Sequence, residues 1–418
     1  MHKPELLSPA GNFEKLKIAL AYGADAVYGG VSHFSLRLRA GKEFTYESFD
    51  EAIQYTHAKG KKIYVTVNGF PFNAQIELLK KHIIRVAAMK PDAFIVAAPG
   101  VIKLVKELAP DIPIHLSTQA NVLNYLDASV FYDMGVKRIV AAREVSLKDL
   151  KEIKEKIPGL EIEAFVHGSM CFAYSGRCLI SSVQSGRVSN RGSCANDCRF
   201  PYTLYAKNED SGTLFKIEED EAGTHIMNAK DLNLSSHLDE ILKSGVIDAL
   251  KIEGRTKSAY YVGITAKTYR QAIDDFGTEN FDVQKYVDEL NTTKNRGFSD
   301  GYLVSRPYEK NDTQNLEHSI SEGSHQVYAE VLEDGISCMC KYKLEPHVEY
   351  ELVMPEESIK EIDNEIGSIK RVDKKWFLKF KELKTQSGKV YAEIHSGNTN
   401  AIVTPAKLPP YTFFRKEQ

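Results

Sequence analysis

The feature that most constrains this fold is a repeated alternation of a helical stretch, a small turn and a short apolar strand. The alternation occurs in LAYGADAVYGG at 20–30, HAKGKKIYVTVNG at 57–69, MKPDAFIVAAPG at 89–100, LAPDIPIHLSTQAN at 108–121, YDMGVKRIVAARE at 132–144, IPGLEIEAFVHG at 157–168 and KSGVIDALKIEGR at 243–255. Together with the opening PELLSPAGN, it predicts eight strands, near residues 5–7, 25–28, 62–67, 93–97, 113–117, 138–142, 161–166 and 248–252.

Strands that alternate with helices pair in parallel through right-handed crossovers. Eight such units predict an α/β fold of the (β/α)8 TIM-type barrel class over residues 1–304. A doubly wound open sheet is the alternative, although no Gly-x-Gly-x-x-Gly follows a strand. A polar linker is expected at 305–324. The alternating runs after it, such as QVYAEVLE and WFLKFKEL, predict a small antiparallel β-barrel or sandwich at 325–418.

The composition argues against general nucleic-acid binding, membrane insertion and secretion. Apolar residues make up 43% of the 418 residues and the net charge is −3, so nothing draws the whole chain to nucleic acid or to a membrane. The N-terminus lacks the apolar core of a secretory signal, and no run of about 18 apolar residues occurs. We therefore expect a cytoplasmic protein without membrane contact, in which clustered cysteines are metal ligands or catalytic thiols more often than disulfides.

Four of the six cysteines lie in one insertion. The last long connection, residues 168–230 after the seventh strand, contains Cys171, Cys178, Cys194 and Cys198. This connection would lie at the carboxyl ends of the barrel strands, where barrel enzymes carry their active sites. The gaps of six, fifteen and three residues lack the two-residue gaps of zinc ribbons, whereas iron–sulfur clusters tolerate irregular spacing. A 4Fe–4S cluster is the favoured interpretation; structural zinc, a redox disulfide and no ligand role are the alternatives. Cys338 and Cys340 are expected to be buried strand residues.

The same insertion is rich in arginine. Residues 168–200 hold four arginines, Arg177, Arg187, Arg191 and Arg199, against one acid, Asp197. Guanidinium groups suit carboxylates and phosphates, so this charge predicts a receptor for an anionic ligand or for an RNA backbone. A solvated loop with this composition is the alternative.

Further polar residues end predicted strands and should face the same barrel mouth. These residues are Asn68, Gln119, Arg143, Glu144, His167, Glu253 and Arg255. His167 is the preferred acid–base candidate, and Glu144 and Glu253 are candidates for a base or for orienting the arginines. The hydrolase motifs His-Glu-x-x-His and Gly-x-Ser-x-Gly are absent.

The segment EAFVHGSMCFAYSGRCLISS at 163–182 resembles the signature of the collagenase-like peptidase U-32 family. The matching residues are Glu163, Phe165, Gly168, Ser169, Cys171, Gly176, Cys178 and Ser181. NRGSCANDCR at 190–199, MNAKDLNL at 227–234, LKIEGRTKS at 250–258 and NRGFSDGYL at 295–303 also resemble family segments, so the similarity spans essentially the whole chain.

The resemblance implies an activity other than its family label. Several members are iron–sulfur proteins that hydroxylate without molecular oxygen, and the branch most similar to this chain acts in prephenate-dependent 5-hydroxylation of the tRNA wobble uridine. It implies the four cysteines of the insertion as cluster ligands, prephenate as co-substrate, and the tRNA anticodon region as partner. A metal-dependent peptidase and a non-catalytic iron–sulfur scaffold are the alternatives, with a protein partner or a homodimer also expected.

Overall fold

The computed structural model describes residues 3–31, 34–35, 44–171, 173–185, 194, 196–199, 203–217, 229–305, 307, 313, 315 and 321–418. The strands before residue 300 are β1 (Glu5–Pro9), β2 (Ala26–Gly29), β3 (Lys62–Val67), β4 (Ala93–Val96), β5 (Ile114–Leu116), β6 (Arg138–Val140), β7 (Glu161–Ser169), β8 (Leu204–Lys207), β9 (Leu214–Ile217), β10 (Asp231–Asn233), β11 (Ala249–Ile252) and β12 (Phe298–Ser299). The helices are α1 (Phe13–Ala21), α2 (Tyr46–Ala58), α3 (Ile76–Ala88), α4 (Pro99–Leu108), α5 (Tyr125–Asp133), α6 (Leu147–Lys156), α7 (Ile180–Ser185), α8 (Leu238–Ser244), α9 (Ala259–Asp275) and α10 (Val283–Asn291).

Eight parallel strands close into a barrel. β1 to β7 pair in chain order, and β11 pairs with both β7 and β1, with Leu250 opposite Ala164 on one side and opposite Leu6 on the other. The (β/α)8 prediction is thereby confirmed, and the open-sheet alternative is wrong because β11 leaves no free edge between β1 and β7. Side-chain caps start the helices that follow the strands: the side chains of Asn12 and Ser146 accept from the third backbone N–H of α1 and α6.

Four strands before residue 300 were not predicted: β8, β9, β10 and β12. β7 runs past the end of β11, and β10 pairs antiparallel with this overhang, Leu232 opposite Gly168. β12 pairs with β10 in turn. The overhang would otherwise expose unpaired backbone groups at the barrel rim, and β10 provides partners for them. Among the described residues, no helix is long and apolar enough to cross a membrane.

The C-terminal region forms antiparallel β-structure, as predicted. Its strands are β13 (His325–Val331), β14 (Ser337–Cys340), β15 (Lys343–Leu344), β16 (Glu349–Val353), β17 (Ile362–Asp363), β18 (Gly367–Val372), β19 (Lys375–Phe380), β20 (Leu383–Lys384), β21 (Val390–Tyr391), β22 (Ile394–His395), β23 (Ile402–Val403) and β24 (Phe413–Glu417). Eight of them form one sheet in the order β17-β18-β19-β16-β24-β13-β14-β23. Cys338 and Cys340 are buried in its apolar core, as expected. Closure of this sheet into a barrel stays a prediction, as do the domain boundaries.

The sheet packs on the barrel through buried polar contacts. The hydroxyl of Tyr22, on α1, donates to the backbone carbonyls of Val353 and Tyr411, at 2.8 and 2.9 Å. The buried guanidinium of Arg415, on β24, donates to Glu289 of α10 at 2.7 Å and to Glu351 of β16 at 2.7 Å. Arg415 also donates to the Tyr260 hydroxyl of α9, at 3.0 Å. Because its partners come from different parts of the chain, this arginine fixes the position of the sheet against α9 and α10.

Candidate active site

A small cavity of about 60 Å³ lies at the carboxyl ends of the barrel strands. Six of the residues that line it were singled out from the sequence: Asn68, Gln119, Arg143, Cys171, Glu253 and Arg255. The barrel topology brings them together from the ends of four strands, β3, β5, β6 and β11, and from the cysteine insertion. We call this cavity the barrel mouth.

Three cations surround the barrel mouth. The guanidinium of Arg143 lies over the Phe165 ring, 4.2 Å from its centroid. Arg255 donates to the hydroxyls of Ser35 at 2.8 Å and Thr66 at 3.3 Å. Lys251 is the third cation. Guanidinium groups bind carboxylates and phosphates, so two arginines at one cavity suit the site to an anionic ligand.

Sequence reasoning missed Lys251 as a site residue. Its Nζ atom lies 2.6 Å from Oε1 of Glu163 and 4.3 Å from the centroid of the Tyr28 ring. The Tyr28 hydroxyl donates in turn to Glu253, at 3.1 Å. A lysine in the middle of the apolar strand DALKIEG was the available signal, because a charge on a buried strand needs an internal partner.

A charged network continues below the barrel mouth. Arg138 donates from Nη1 to Glu163 at 3.3 Å and to Glu5 at 2.7 Å. Burial opposes the charge on Arg138, but Glu163 and Glu5 outweigh burial and raise the guanidinium pKa. Burial, reinforced by Arg138, holds the pKa of His115 well below its usual range. Charges of alternating sign thus connect the barrel floor to Lys251.

Glu144 does not line the barrel mouth; it holds the cysteine insertion on the barrel rim. Its carboxylate accepts from the backbone N–H of Ser175 at 3.0 Å and from the Ser175 hydroxyl at 3.2 Å. Beside Ser175, Gly176 has φ +76°, and an added Cβ would lie 2.3 Å from the carbonyl oxygen of Gln119. The turn between Cys171 and Cys178 is therefore seated directly on the strand ends.

His167 also lies away from the barrel mouth. Its ring is 1% exposed and contacts the rings of Tyr261, Tyr269 and Phe298. Burial lowers the pKa of His167 to about 3, despite the nearby Asp231 carboxylate. The imidazole is thus neutral at physiological pH, and its acid–base role stays a prediction without a contact to the barrel mouth.

In the described part of the chain, none of the four cysteines of the insertion forms a disulfide. Cys171 is exposed and lines the barrel mouth, and the other three are partly exposed. The Ser185 hydroxyl, at the end of α7, donates to Asp197 at 3.2 Å, which ties the helix after Cys178 to the turn that contains Cys198. Arg177 is exposed in this insertion, whereas Arg187, Arg191 and the Arg199 side chain lie outside the described residues.

The chemistry of this donor set fits an iron–sulfur cluster, because four cysteines outside disulfides can supply four thiolate ligands. In the described part of the chain, however, no three His, Cys, Asp or Glu side chains are grouped closely enough to hold a metal ion. The donors are thus of the right type, while their side chains are not gathered around a common point.

Comparison with known proteins agrees with the resemblance seen in the sequence. Residues 11–313 match the model of peptidase family U32. A protein named tRNA hydroxylation protein P, from Helicobacter pylori, is 59% identical over 100% of this chain and 99% of its own length. A 23S rRNA 5-hydroxycytidine C2501 synthase from Escherichia coli is 33% identical over 73% of this chain and 46% of its own length. A collagenase from Porphyromonas gingivalis is 32% identical over 72% and 74%. The chain belongs to peptidase family U32.

Proposed function

We propose that this protein is an RNA-modifying hydroxylase that holds a 4Fe–4S cluster and acts on the wobble uridine of tRNA with prephenate as co-substrate. The observation that carries the proposal is the meeting of Cys171 with Arg143, Lys251 and Arg255 around one cavity. Relatives named for tRNA hydroxylation and for rRNA hydroxycytidine synthesis support RNA as the substrate. The identity is higher to the first of these than to the collagenase.

The residues of the barrel mouth have separate tasks in this proposal. Arg143 and Arg255 bind the carboxylates of prephenate, because guanidinium groups bind carboxylates in a bidentate manner. Asn68 and Gln119 offer amide groups to the edge of a base. A base can reach them only after leaving its stack, since the floor of the barrel is closed by side chains. Glu253, held by the hydroxyl of Tyr28, is the carboxylate that accepts or returns a proton.

The cluster would be held by Cys171, Cys178, Cys194 and Cys198, and it would supply electron transfer at the barrel mouth. The chain's own contribution is the position of the insertion. Glu144 and Gly176 seat the turn between the first two cysteines on the barrel rim. Cys171 is thereby held in the wall of the cavity that binds the substrates.

The test is metal analysis of protein purified without oxygen, together with analysis of tRNA nucleosides. We expect about four irons and four sulfides per chain, and the loss of most iron in Cys171→Ala. Cys338→Ala is the matched control, because this buried thiol of the C-terminal sheet should keep the iron content unchanged. A deletion strain should lack hydroxylated wobble uridine and regain it with the wild-type gene but not with Cys171→Ala.

Three results would contradict the proposal. Protein without iron, combined with an unchanged tRNA nucleoside profile in the deletion strain, would exclude the hydroxylase. Peptide cleavage that depends on an added divalent metal and survives Cys171→Ala would instead favour the peptidase that the family name describes. Iron without any change of RNA would favour the scaffold alternative.

A further inference from the structure

A second and larger cavity, of about 540 Å³, lies between the barrel and the C-terminal sheet. We call it the interdomain cleft. Four lysines line it, Lys15, Lys257 and Lys294 from the barrel and Lys341 from the sheet. Glu14 and Glu330 are its acidic residues, so the lining is cationic in a chain of net charge −3. Ligand sites favour such interfaces between two structural units.

The four lysines differ in whether they form an ion pair with a carboxylate. Lys341 pairs with Glu330 at 2.9 Å, and Lys257 pairs with Asp231 at 3.1 Å. Within the part of the chain that the structure describes, neither Lys15 nor Lys294 forms an ion pair with a carboxylate. Lys15 donates instead to the backbone carbonyl of Arg255, at 3.3 Å. Burial lowers the pKa of Lys15, because it disfavours the charged form of the side chain. An anion bound beside Lys15 would stabilise that charged form.

The interdomain cleft and the barrel mouth share a wall. This wall is the turn between β11 and α9, in which Glu253 and Arg255 line the barrel mouth while Lys257 lines the cleft. The turn is rigidly held. The Tyr261 hydroxyl donates to the Glu253 carbonyl at 2.8 Å, and a Cβ on Gly11 would lie 2.0 Å from the Arg255 carbonyl oxygen. A ligand in the cleft is therefore adjacent to a ligand in the mouth.

We infer that the interdomain cleft binds the phosphodiester backbone of the RNA whose base enters the barrel mouth. This inference rests on the proposed function. The lysines of the cleft are distributed over two structural units, and such an arrangement can contact successive phosphates of one RNA strand. A compact anion would instead be bound by donors that converge on one point. Lysine–phosphate contacts position a nucleic acid without reading its sequence, so the mouth is left to select the base.

The test compares RNA binding by two double variants of the full chain. Lys15→Gln/Lys294→Gln removes the two lysines of the cleft that lack carboxylate partners. Lys103→Gln/Lys374→Gln is the control, since it changes the net charge equally at exposed lysines outside the cleft. The probe is unmodified tRNA in filter binding between about 0.05 and 0.3 M salt, with UMP and inorganic phosphate as small-anion probes.

Each lysine–phosphate contact to a single strand adds about 0.7 to the slope of log affinity against log salt. The cleft variant should therefore lose about 1.4 of this slope and bind tRNA about tenfold more weakly at 0.15 M salt, while the control matches wild type. Thermal unfolding of both variants checks that they remain folded.

Three results would overturn the inference. Equal tRNA binding by the cleft variant and the control, with hydroxylated uridine still formed in cells, would refute the cleft and leave the proposed function intact. Lysine-dependent binding of UMP or phosphate without any effect on tRNA would identify a small-anion site. Wild-type protein that neither binds nor modifies tRNA would refute the proposed function and the inference with it.

Discussion

The substitution Glu163→Gln tests how much the charged network inside the barrel stabilises the fold. Glu163 is fully buried and lies between two cations, accepting from Lys251 at 2.6 Å and from Arg138 at 3.3 Å. Glutamine keeps the shape of the side chain and removes its charge. Arg138 retains the carboxylates of Glu5 and Glu161. Lys251 has no second carboxylate partner in the described part of the chain.

The cost follows from the position of Lys251, which is 4% exposed. Breaking a buried pair by removing one partner costs about 3–5 kcal/mol, because an uncompensated charge is left behind. We expect Glu163→Gln to lower the free energy of unfolding by about 3–4 kcal/mol.

The measurement is urea unfolding at pH 7, with Glu77→Gln as the matched control. Glu77 pairs with Lys80 at 2.7 Å, nearly the same distance, but on the exposed face of α3. Exposed pairs are worth about 0–1 kcal/mol, so the control should remain close to wild type. A loss below about 1 kcal/mol in Glu163→Gln would show that the buried network is not a stabilising unit.

Two further predictions concern His167 and the cysteine insertion. Because burial lowers the pKa of His167 to about 3, the stability linked to this histidine is complete above about pH 6.5 and is lost as the pH falls from there towards 3. Urea titrations at about pH 7, 6 and 5 should show a slope of up to about 1.4 kcal/mol per pH unit from this group, which His167→Gln removes; an unchanged slope would contradict the assignment. Gly176→Ala should displace the insertion from Gln119 and lower the iron content, whereas Gly212→Ala, at φ +69° with nothing within 4 Å of the added Cβ, should not. Equal iron in both variants would mean that this seating does not matter for the cluster.

The barrel was predictable because its signal is repeated: all eight strands are short and apolar, and seven of them follow a helical stretch. An error at one strand would therefore not have changed the predicted fold. No repeated pattern in the sequence indicates which side chains contact one another at the barrel mouth. Asn68, Gln119 and Arg255 were placed correctly because residues that follow a barrel strand converge at one end whatever their neighbours are.

His167 and Glu144 show why the remaining contacts were not predictable. Alternation along β7 from Phe165, which lines the mouth, would place His167 on the same face. The register between β7 and β11 shifts there, from Phe165 opposite Lys251 to His167 opposite Ile252. Such an irregularity re-aims the following side chain, and His167 packs against the tyrosines of α9. Glu144 was assigned a role at the mouth, but its partner Ser175 lies 31 residues away and only the folded chain brings them together.

The contacts of Glu163 and Gly168 explain how the signature segment of this family positions its first cysteine. Glu163 neutralises the cations inside the barrel and fixes the lower part of β7. Gly168, at φ +114°, lies so close to β11 that an added Cβ would be 2.1 Å from the Glu253 carbonyl oxygen. The strand can therefore leave the barrel across the top of β11, and three residues later Cys171 lies in the wall of the mouth. The spacing from Glu163 to Gly168 to Cys171 thus brings a thiol to the wall of the barrel mouth.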